Sequence, residues 1–350
     1  MYGNLAQGAT VKALLSSTLV DRRTALSVLG AAGLGLFGLG AKPVFTAEAD
    51  NSTLSTLLPD FSEKSRNKLR AVVTDPGFGG QISVSEARYL QEAEGKSIEA
   101  IMLALLPLAR SYSRPPISNY RVGVVARGTS GHLYLGANIE FPGHSLGFAV
   151  HAEQSALSNA YMHSDQGVAA IALTAAPCGH CRQFMNELSP EGQIEILVNG
   201  HPPMKLSSLL PMAFGPADLG MKQGAFPVQQ VDLILPSASD ELAHAAAEAA
   251  RRSYAPYTKA HSGVAIATSS GRIYNGAYIE NVAFNPSLSP LQTALVSLIA
   301  AGEKYSAISR VALMEVEGAV ISQRSATEAV LAAIAPAAKR QVLTARAKAQ

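Results

Sequence analysis

An internal repeat restricts the folds open to this chain more than any other feature. The stretch ARSYSRPPISNYRVGVVARGTSGHLYLGANIEF (residues 109–141) is echoed by ARRSYAPYTKAHSGVAIATSSGRIYNGAYIENVAF (residues 250–284), and HAEQSAL (151–157) is echoed by SPLQTAL (289–295). Segments that recur in the same order predict a structural unit that is present twice. A chain of 350 residues has room for two modest domains, so we expect two similar ones.

The first copy of the repeat alternates segments typical of strands and of helices. The predicted strands are YRVGVVARG, GHLYLGANIEF, the apolar VAAIALTA and residues 194–198, and the predicted helices are HAEQSALSNAYMH and PCGHCRQFMNEL, the second starting at Pro177. A β-β-α-β-α-β order predicts a mixed sheet with helices on both faces. We therefore expect a three-layer α/β/α fold that is duplicated along the chain.

Helical patterns also precede this unit. FSEKSRNKLRAVV, VSEARYLQEAEG and KSIEAIMLALLPLARSYS each predict a helix, and Pro115 and Pro116 stop the last one. Between the two copies, FGPADLGMKQGAFP concentrates Gly and Pro and predicts a linker near residues 215–227. The expected organisation is a helical lead segment at 50–96, one domain at 97–220 and a second at 228–350.

The N-terminal segment resembles a twin-arginine export signal. Arg22 and Arg23 precede a glycine-rich, weakly apolar run over about residues 24–41, and Ala47-Glu48-Ala49 offers a cleavage pattern of small residues. We expect residues 1–49 to be removed and the protein to be periplasmic or otherwise exported, without stable membrane association. The alternatives are an uncleaved membrane anchor, which the many glycines disfavour, and a cytoplasmic location.

Charge and cysteine usage narrow the function. The formal net charge is only +2 and no long basic run follows the N-terminal segment, so a small-molecule substrate is favoured over nucleic acid. The only two cysteines, Cys178 and Cys181, have the spacing of metal ligands or of a redox pair rather than of a disulfide framework.

His151-Ala152-Glu153 followed by Pro177-Cys178-Gly179-His180-Cys181 is the most specific motif in the chain. Alone, the CxxC could be a redox pair and the HxE an ordinary helix start. Together they match the signature of zinc-dependent deaminases. One imidazole and two thiolates supply three ligands of a tetrahedral Zn²⁺ and leave the fourth position open for water, so we expect one zinc ion in the first domain.

Glu153 is the predicted acid/base. We expect it to accept the proton of the attacking water, to protonate N3 of a pyrimidine ring while water attacks C4, and to deliver a proton to departing ammonia. The alternative is a carboxylate that only meets the helix dipole. His180 is expected to lie beside the ligands or at the surface rather than to bind the metal.

The second copy of the repeat lacks this chemistry. Ser289 stands where His151 stands and Leu291 stands where Glu153 stands, and the second copy has no cysteine. We expect a degenerate domain without an active site of its own.

From about Ser97 onward the sequence resembles the dimeric bacterial and plant type of cytidine deaminase, through HAEQSAL, PCGHCRQFMNEL and the later AFGP and AFNP segments. The resemblance implies the same zinc ligands and acid/base, a homodimer and a nucleoside substrate. It further implies that Asn138 and Glu140 hold the ribose hydroxyls. Tyr120, Ala152 and Phe214 would complete the substrate site, with Phe214 supplied across the dimer interface.

The function implied is hydrolysis of free cytidine and 2′-deoxycytidine to the uridines and ammonia, in pyrimidine salvage. One alternative is a base deaminase acting on RNA or single-stranded DNA, which would need a basic channel and a stacking platform. The other alternative is a noncatalytic scaffold stabilised by zinc, which the retention of Glu153 disfavours.

Overall fold

The computed structural model of the chain describes residues 51–188, 193–236 and 240–348. The predicted export signal, residues 1–49, lies outside them. Among the helices that are described, none is long and apolar enough to cross a membrane.

The lead segment is mainly helical, as expected, but it also contributes a strand. Its elements are α1 (Asn51–Leu57), α2 (Glu63–Val73), β1 (Gln81–Ile82) and α3 (Val84–Glu94), followed by α4 (Ile98–Ala104) and α5 (Leu106–Ser111). The short strand β1 was not predicted, and it pairs antiparallel with a strand of the first domain. The single helix predicted over residues 96–113 was wrong, because Pro107 at the start of α5 has no N–H to continue the α4 hydrogen-bond ladder.

A mixed six-stranded sheet forms the first half, as the sequence predicts. Its elements are β2 (Gly123–Gly128), β3 (Leu133–Ala137), α6 (Ala152–Met162), β4 (Val168–Leu173), α7 (Gly179–Leu188), β5 (Glu195–Val198), β6 (Met204–Lys205) and α8 (Leu206–Leu209). The strand order is β1-β3-β2-β4-β5-β6. Only the β4–β5 pair is parallel, and the predicted hairpin joins β2 to β3.

The second half repeats this arrangement. Its elements are β7 (Leu233–Ile234), α9 (Glu241–Arg251), β8 (Ser262–Thr268), β9 (Ile273–Ala277), α10 (Pro290–Ala300), β10 (Ile308–Val316), α11 (Arg324–Ile334) and β11 (Lys339–Ala347). The order β9-β8-β10-β11 corresponds to β3-β2-β4-β5, again with the last pair parallel. The duplication is therefore structural as well as sequential.

Two glycines show how closely the halves correspond. A Cβ at Gly136 of β3 would lie 2.2 Å from the backbone nitrogen of Ala156 in α6, and a Cβ at Gly276 of β9 would lie 2.1 Å from that of Ala294 in α10. Each helix thus packs directly onto its strand, which only glycine allows. α6 and α10 also pack against each other, and the main hydrophobic core takes residues from both halves.

Candidate active site

Three potential metal donors converge at one end of the first sheet. Nδ1 of His151 lies 3.5 Å from Sγ of Cys178 and 3.3 Å from Sγ of Cys181, and the two sulfurs lie 3.6 Å apart. In a tetrahedral zinc shell, with Zn–S near 2.3 Å and Zn–N near 2.0–2.1 Å, neighbouring donors lie roughly 3.5–3.8 Å apart. The three atoms therefore have the spacing of a zinc-binding triad. Within the described ranges this is the only such cluster of His, Cys, Asp and Glu side chains.

His151 is held at the junction of β3 and α6. Val150 and Ile139 exchange backbone hydrogen bonds of 2.8 and 2.9 Å, which ties the residue before His151 to the segment that follows β3. His151 then precedes the first turn of α6, and its backbone N–H donates to Oε1 of Gln154. This cap fixes where the helix begins and with it the position of the imidazole.

The cysteines lie at the start of α7. The helix begins at Gly179, so the prediction that it starts at Pro177 and includes both cysteines in its first turn was wrong by two residues. Pro177 has no N–H and the backbone turns into the helix only after Cys178, whose carbonyl accepts from the N–H of Arg182. Cys178 therefore precedes the helix and is exposed, whereas Cys181 lies in the first turn and is buried.

The local electrostatics favour a thiolate at Cys178. The hydrogen bond between the Cys178 and Cys181 sulfurs, together with the backbone N–H groups of Cys181 and His180, lowers the pKa of Cys178 to about 4 despite partial burial. Exposed N–H groups at a helix start stabilise an anion in this way. The exposed Cys178 is therefore the cysteine that ionises more readily, since the pKa of Cys181 is raised.

Glu153 is buried beside these donors. Burial raises the pKa of its carboxyl group, against the lowering effects of a hydrogen bond with Cys181 and of the His151 imidazole. A carboxyl group with a raised pKa exchanges a proton at higher pH than an ordinary glutamate does, which suits a group that must both accept and return one. The structure therefore brings the predicted acid/base next to His151 and Cys181.

His180 packs on the ligand histidine. Its ring is stacked on that of His151, with centroids 5.1 Å apart and an interplanar angle of 28°. It is absent from the donor cluster. This arrangement agrees with the prediction that His180 lies beside the ligands, where it limits the orientations open to the imidazole.

Asn138 follows β3 and holds the segment around Tyr120. Its Oδ1 accepts from the N–H of Val122 at 2.9 Å and its Nδ2 donates to the carbonyl of Tyr120 at 2.9 Å. Each end of the amide can make one further hydrogen bond. The amide is thus engaged in shaping the loop and still has hydrogen-bonding capacity for a ligand.

Glu140 clamps the neighbouring turn. Its carboxylate accepts from both backbone N–H groups of residues 117–118 and from the Ser118 hydroxyl. Burial alone would raise the pKa of Glu140, but these hydrogen bonds hold that pKa below its usual value. In the second half, Glu280 binds residues 257–258 by the same three contacts. Since that half lacks the metal motif, this part of the role of Glu140 is structural.

The remaining predicted substrate residues differ in exposure. Tyr120 is 62% exposed and Phe214 is 48% exposed, whereas Ala152, the first residue of α6, is buried. The carbonyl of Phe214 accepts from the side-chain amides of Gln183 and Asn186, at 2.7 and 3.4 Å. The Phe214 loop is therefore fastened to the helix that carries Cys181.

The second half is degenerate in structure too. Ser289 caps α10 by accepting from the N–H of Gln292, and Leu291 is buried in the core. Gln292 and its counterpart Gln154 each donate to a carbonyl of the opposite half, at Phe148 and Pro286 respectively. These two contacts were not predicted from the sequence, although both glutamines occupy the fourth position of HAEQSAL and SPLQTAL.

Comparison with known proteins agrees with this geometry. A family model described as "Cytidine and deoxycytidylate deaminase zinc-binding region" matches residues 96–194, and a second with the same description matches residues 206–328. The chain is 43% identical to a cytidine deaminase of Vibrio vulnificus over 285 residues, which are 81% of this chain and 96% of that protein. It is 44% identical to a cytidine deaminase of Cronobacter sakazakii over 266 residues, which are 76% of this chain and 90% of that protein. A solved cytidine deaminase from Mycobacterium tuberculosis matches 34% of this chain and 99% of its own, at 26% identity and a TM-score of 0.31.

Proposed function

Because the chain belongs to the cytidine and deoxycytidylate deaminase family, we propose that it hydrolyses free cytidine and 2′-deoxycytidine to uridine and 2′-deoxyuridine with release of ammonia. Family membership makes it a zinc-dependent hydrolytic enzyme. The observation that carries the proposal is the triad of His151, Cys178 and Cys181 with the buried Glu153 beside it.

The residues of the triad would hold the zinc. A nitrogen and two sulfurs form a donor set that zinc prefers, and they leave one tetrahedral position open. When bound, zinc supplies a Lewis acid that lowers the pKa of a water molecule at that position. Cys178 is exposed and Cys181 is buried, which supports a metal site that a substrate could reach from the solvent.

Glu153 would carry the protons of the reaction. Its carboxylate accepts one proton from the attacking water and delivers it to N3 of the pyrimidine, while the water oxygen bonds to C4. It then moves the remaining hydroxyl proton to the amino nitrogen, the C4–N bond breaks with its electron pair, and ammonia leaves. C4 then carries a carbonyl in place of the amino group, so cytidine and water are converted to uridine and ammonia. The raised pKa of Glu153 suits both transfers.

Asn138 and Glu140 would bind the ribose. A carboxylate has about four acceptor positions, and three of those on Glu140 are used by the turn, which leaves one for a sugar hydroxyl. The amide of Asn138 likewise retains one donor and one acceptor position. Tyr120, Ala152 and Phe214 are proposed to contact the base.

We further propose that two copies of the chain assemble around the site. Two exposed aromatic side chains support this: Tyr120, in the segment held by Asn138, and Phe214, in the loop fastened to α7. Other exposed large apolar side chains are Leu146, Met212 and Leu219. Exposed apolar side chains of this kind are costly in water and are typical of a protein interface. The oligomeric state is measured by sedimentation equilibrium, and activity is assayed at the same protein concentration. A monomer with full activity would refute the shared site.

A substrate panel tests the proposed reaction. Zinc-loaded protein lacking residues 1–49 is given cytidine, 2′-deoxycytidine, free cytosine and a cytosine-containing single-stranded oligonucleotide. We expect ammonia release from the two nucleosides only. Release from the oligonucleotide alone would favour a nucleic-acid deaminase, and zinc retention with no turnover of any substrate would favour a scaffold.

Export and salvage are the remaining parts of the proposal. Arg22, Arg23 and the small residues at 47–49 support export through a folded-protein route, which would let the thiolates acquire zinc before they meet an oxidising compartment. Fractionation of cells that express the intact chain should find processed protein outside the cytosol, and unprocessed cytosolic protein would refute this. A salvage role predicts a result in a strain that can neither make uridine nor deaminate cytidine. Expression of the enzyme should allow that strain to grow on cytidine.

A further inference from the structure

A buried glutamate on the cysteine-bearing helix has no part in the proposed reaction. Glu187 lies in α7 with Cys181 and is completely buried. One carboxylate oxygen accepts from the hydroxyls of Tyr254 and Tyr257, each at 2.7 Å, and the other accepts from the N–H of Val282 at 2.8 Å. A buried carboxylate is costly unless its oxygens are hydrogen-bonded, and these three donors meet that need.

All three donors come from the degenerate half. Tyr254 and Tyr257 lie in the turn between α9 and β8, and Val282 follows β9. The neighbouring Asn281 donates to the carbonyl of Gln183, which is also in α7. The helix that carries Cys181 is therefore fastened to the second half by side-chain hydrogen bonds as well as by apolar packing.

The segment that carries the other side of the triad is fastened to the same body. Gln292 of α10 donates to the carbonyl of Phe148 at 2.8 Å, three residues before His151. The second half thus contacts both elements whose separation sets the distance between the His151 nitrogen and the Cys181 sulfur. Metal sites need such donors fixed to within about 0.5 Å, and groups beyond the ligands commonly provide this.

We propose that Glu187 is a positioning residue for the metal site, through which the degenerate half fixes α7 and holds Cys181 at its ligand distance from His151. The degenerate half then has a role in the chemistry of the first half although it has no site of its own. This inference rests on the proposed zinc ligands, and it does not depend on which substrate is deaminated.

Zinc release in the absence of substrate tests this role. Each zinc-loaded protein is mixed with an excess of a chelator that changes colour on binding zinc. The release rate is then compared with the midpoint of urea unfolding. The test variants are Glu187→Gln and the double variant Tyr254→Phe with Tyr257→Phe. Should the double variant fail to fold, Tyr257→Phe alone removes one of the two hydroxyls.

A matched control is provided by Tyr161→Phe. The hydroxyl of Tyr161 also joins the two halves, by donating to the carbonyl of Arg252, but Tyr161 lies at the end of α6 remote from His151. Tyr161→Phe therefore removes a phenolic hydrogen bond between the same two halves and changes no hydrogen bond made by α7.

We expect the Glu187 and tyrosine variants to release zinc about ten- to a hundredfold faster than the parent, and Tyr161→Phe to stay within about twofold. With Co²⁺ in place of zinc, the thiolate–cobalt absorption bands should shift in the former variants and not in the control. The proposal would be overturned if the release rates did not change. It would also be overturned if the release rate in every variant, the control included, simply rose in proportion to the loss of stability. A parent that binds no zinc would overturn it together with the ligand assignment, whereas an inactive parent that releases zinc as expected would refute only the reaction.

Discussion

Replacing Gly136 by alanine should damage the active site through the helix that carries it. The new Cβ would lie 2.2 Å from the backbone nitrogen of Ala156 and 2.5 Å from the carbonyl oxygen of Ala152, both in α6. An ordinary contact begins near 3.4 Å, so the helix must move by about 1.2 Å, and no side-chain rotation can relieve a clash with backbone. Since α6 carries Glu153 and follows His151, the displacement reaches both.

The expected magnitudes follow from that displacement. Overpacking of this kind costs about 1–3 kcal/mol of unfolding free energy. A shift of about 1 Å in catalytic geometry costs on the order of a hundredfold in rate. We therefore expect kcat/KM for cytidine, measured per zinc-loaded molecule, to fall about a hundredfold. The measurements are loss of cytidine absorbance, zinc content and urea unfolding.

Gly276→Ala is the matched control. Its Cβ would clash in the same way with Ala294 and Pro290 of α10, which carries no catalytic residue but whose Gln292 donates to the carbonyl of Phe148. It should lose a similar free energy of unfolding, and because it reaches the His151 segment only indirectly, its activity should stay within about tenfold of the parent. Equal losses of activity in the two variants, or a Gly136→Ala enzyme with unchanged kcat/KM, would show that displacement of α6 does not disturb His151 and Glu153.

Three further predictions concern named side chains. The pH profile of kcat/KM should have an acid limb above the usual carboxyl range, because Glu153 accepts a proton only when ionised and burial raises its pKa; a limb near pH 4 would contradict this. Cys178→Ser should weaken zinc binding by at least about tenfold, because it replaces one of the three ligands. Its circular dichroism spectrum should match that of the parent, and an unchanged zinc affinity would show that Cys178 is not a ligand. Glu140→Gln should raise KM for cytidine about tenfold and lower stability, whereas Glu280→Gln should lower stability alone, because both clamp a turn but only Glu140 is proposed to bind the ribose. Equal KM values in the two variants would confine Glu140 to a structural role.

The sequence predicted the cluster of metal donors because each of its two motifs is local. His151 and Glu153 are separated by one residue, and Cys178 and Cys181 by two, so each pair is positioned by a single helix start. The repeat likewise predicted the duplicated sheet, since alternating strands and helices determine the order of a mixed sheet. The failures at Pro107 and Pro177 concern where a helix is interrupted or begins, which depends on individual backbone hydrogen bonds.

Contacts between distant parts of the chain could not be predicted. Glu187 is an ordinary charged residue in PCGHCRQFMNEL, and its partners Tyr254 and Tyr257 lie in the other half of the chain. The clamp formed by Glu140 became recognisable only beside its counterpart Glu280, because a glutamate near a strand end carries no sign of which backbone groups it will bind. The contacts of Glu187 and of Glu140 are both determined by tertiary packing.

In the proposed reaction, Glu153 transfers protons beside a zinc held by His151, Cys178 and Cys181. The most direct test compares zinc-loaded parent with Glu153→Gln, which keeps the size of the side chain and removes its ability to accept a proton. We predict that both proteins hold one zinc per chain, that the parent converts cytidine to uridine, and that the variant loses at least about a thousandfold in kcat. A variant that holds zinc and turns over cytidine at the parent rate would exclude Glu153 as the proton carrier.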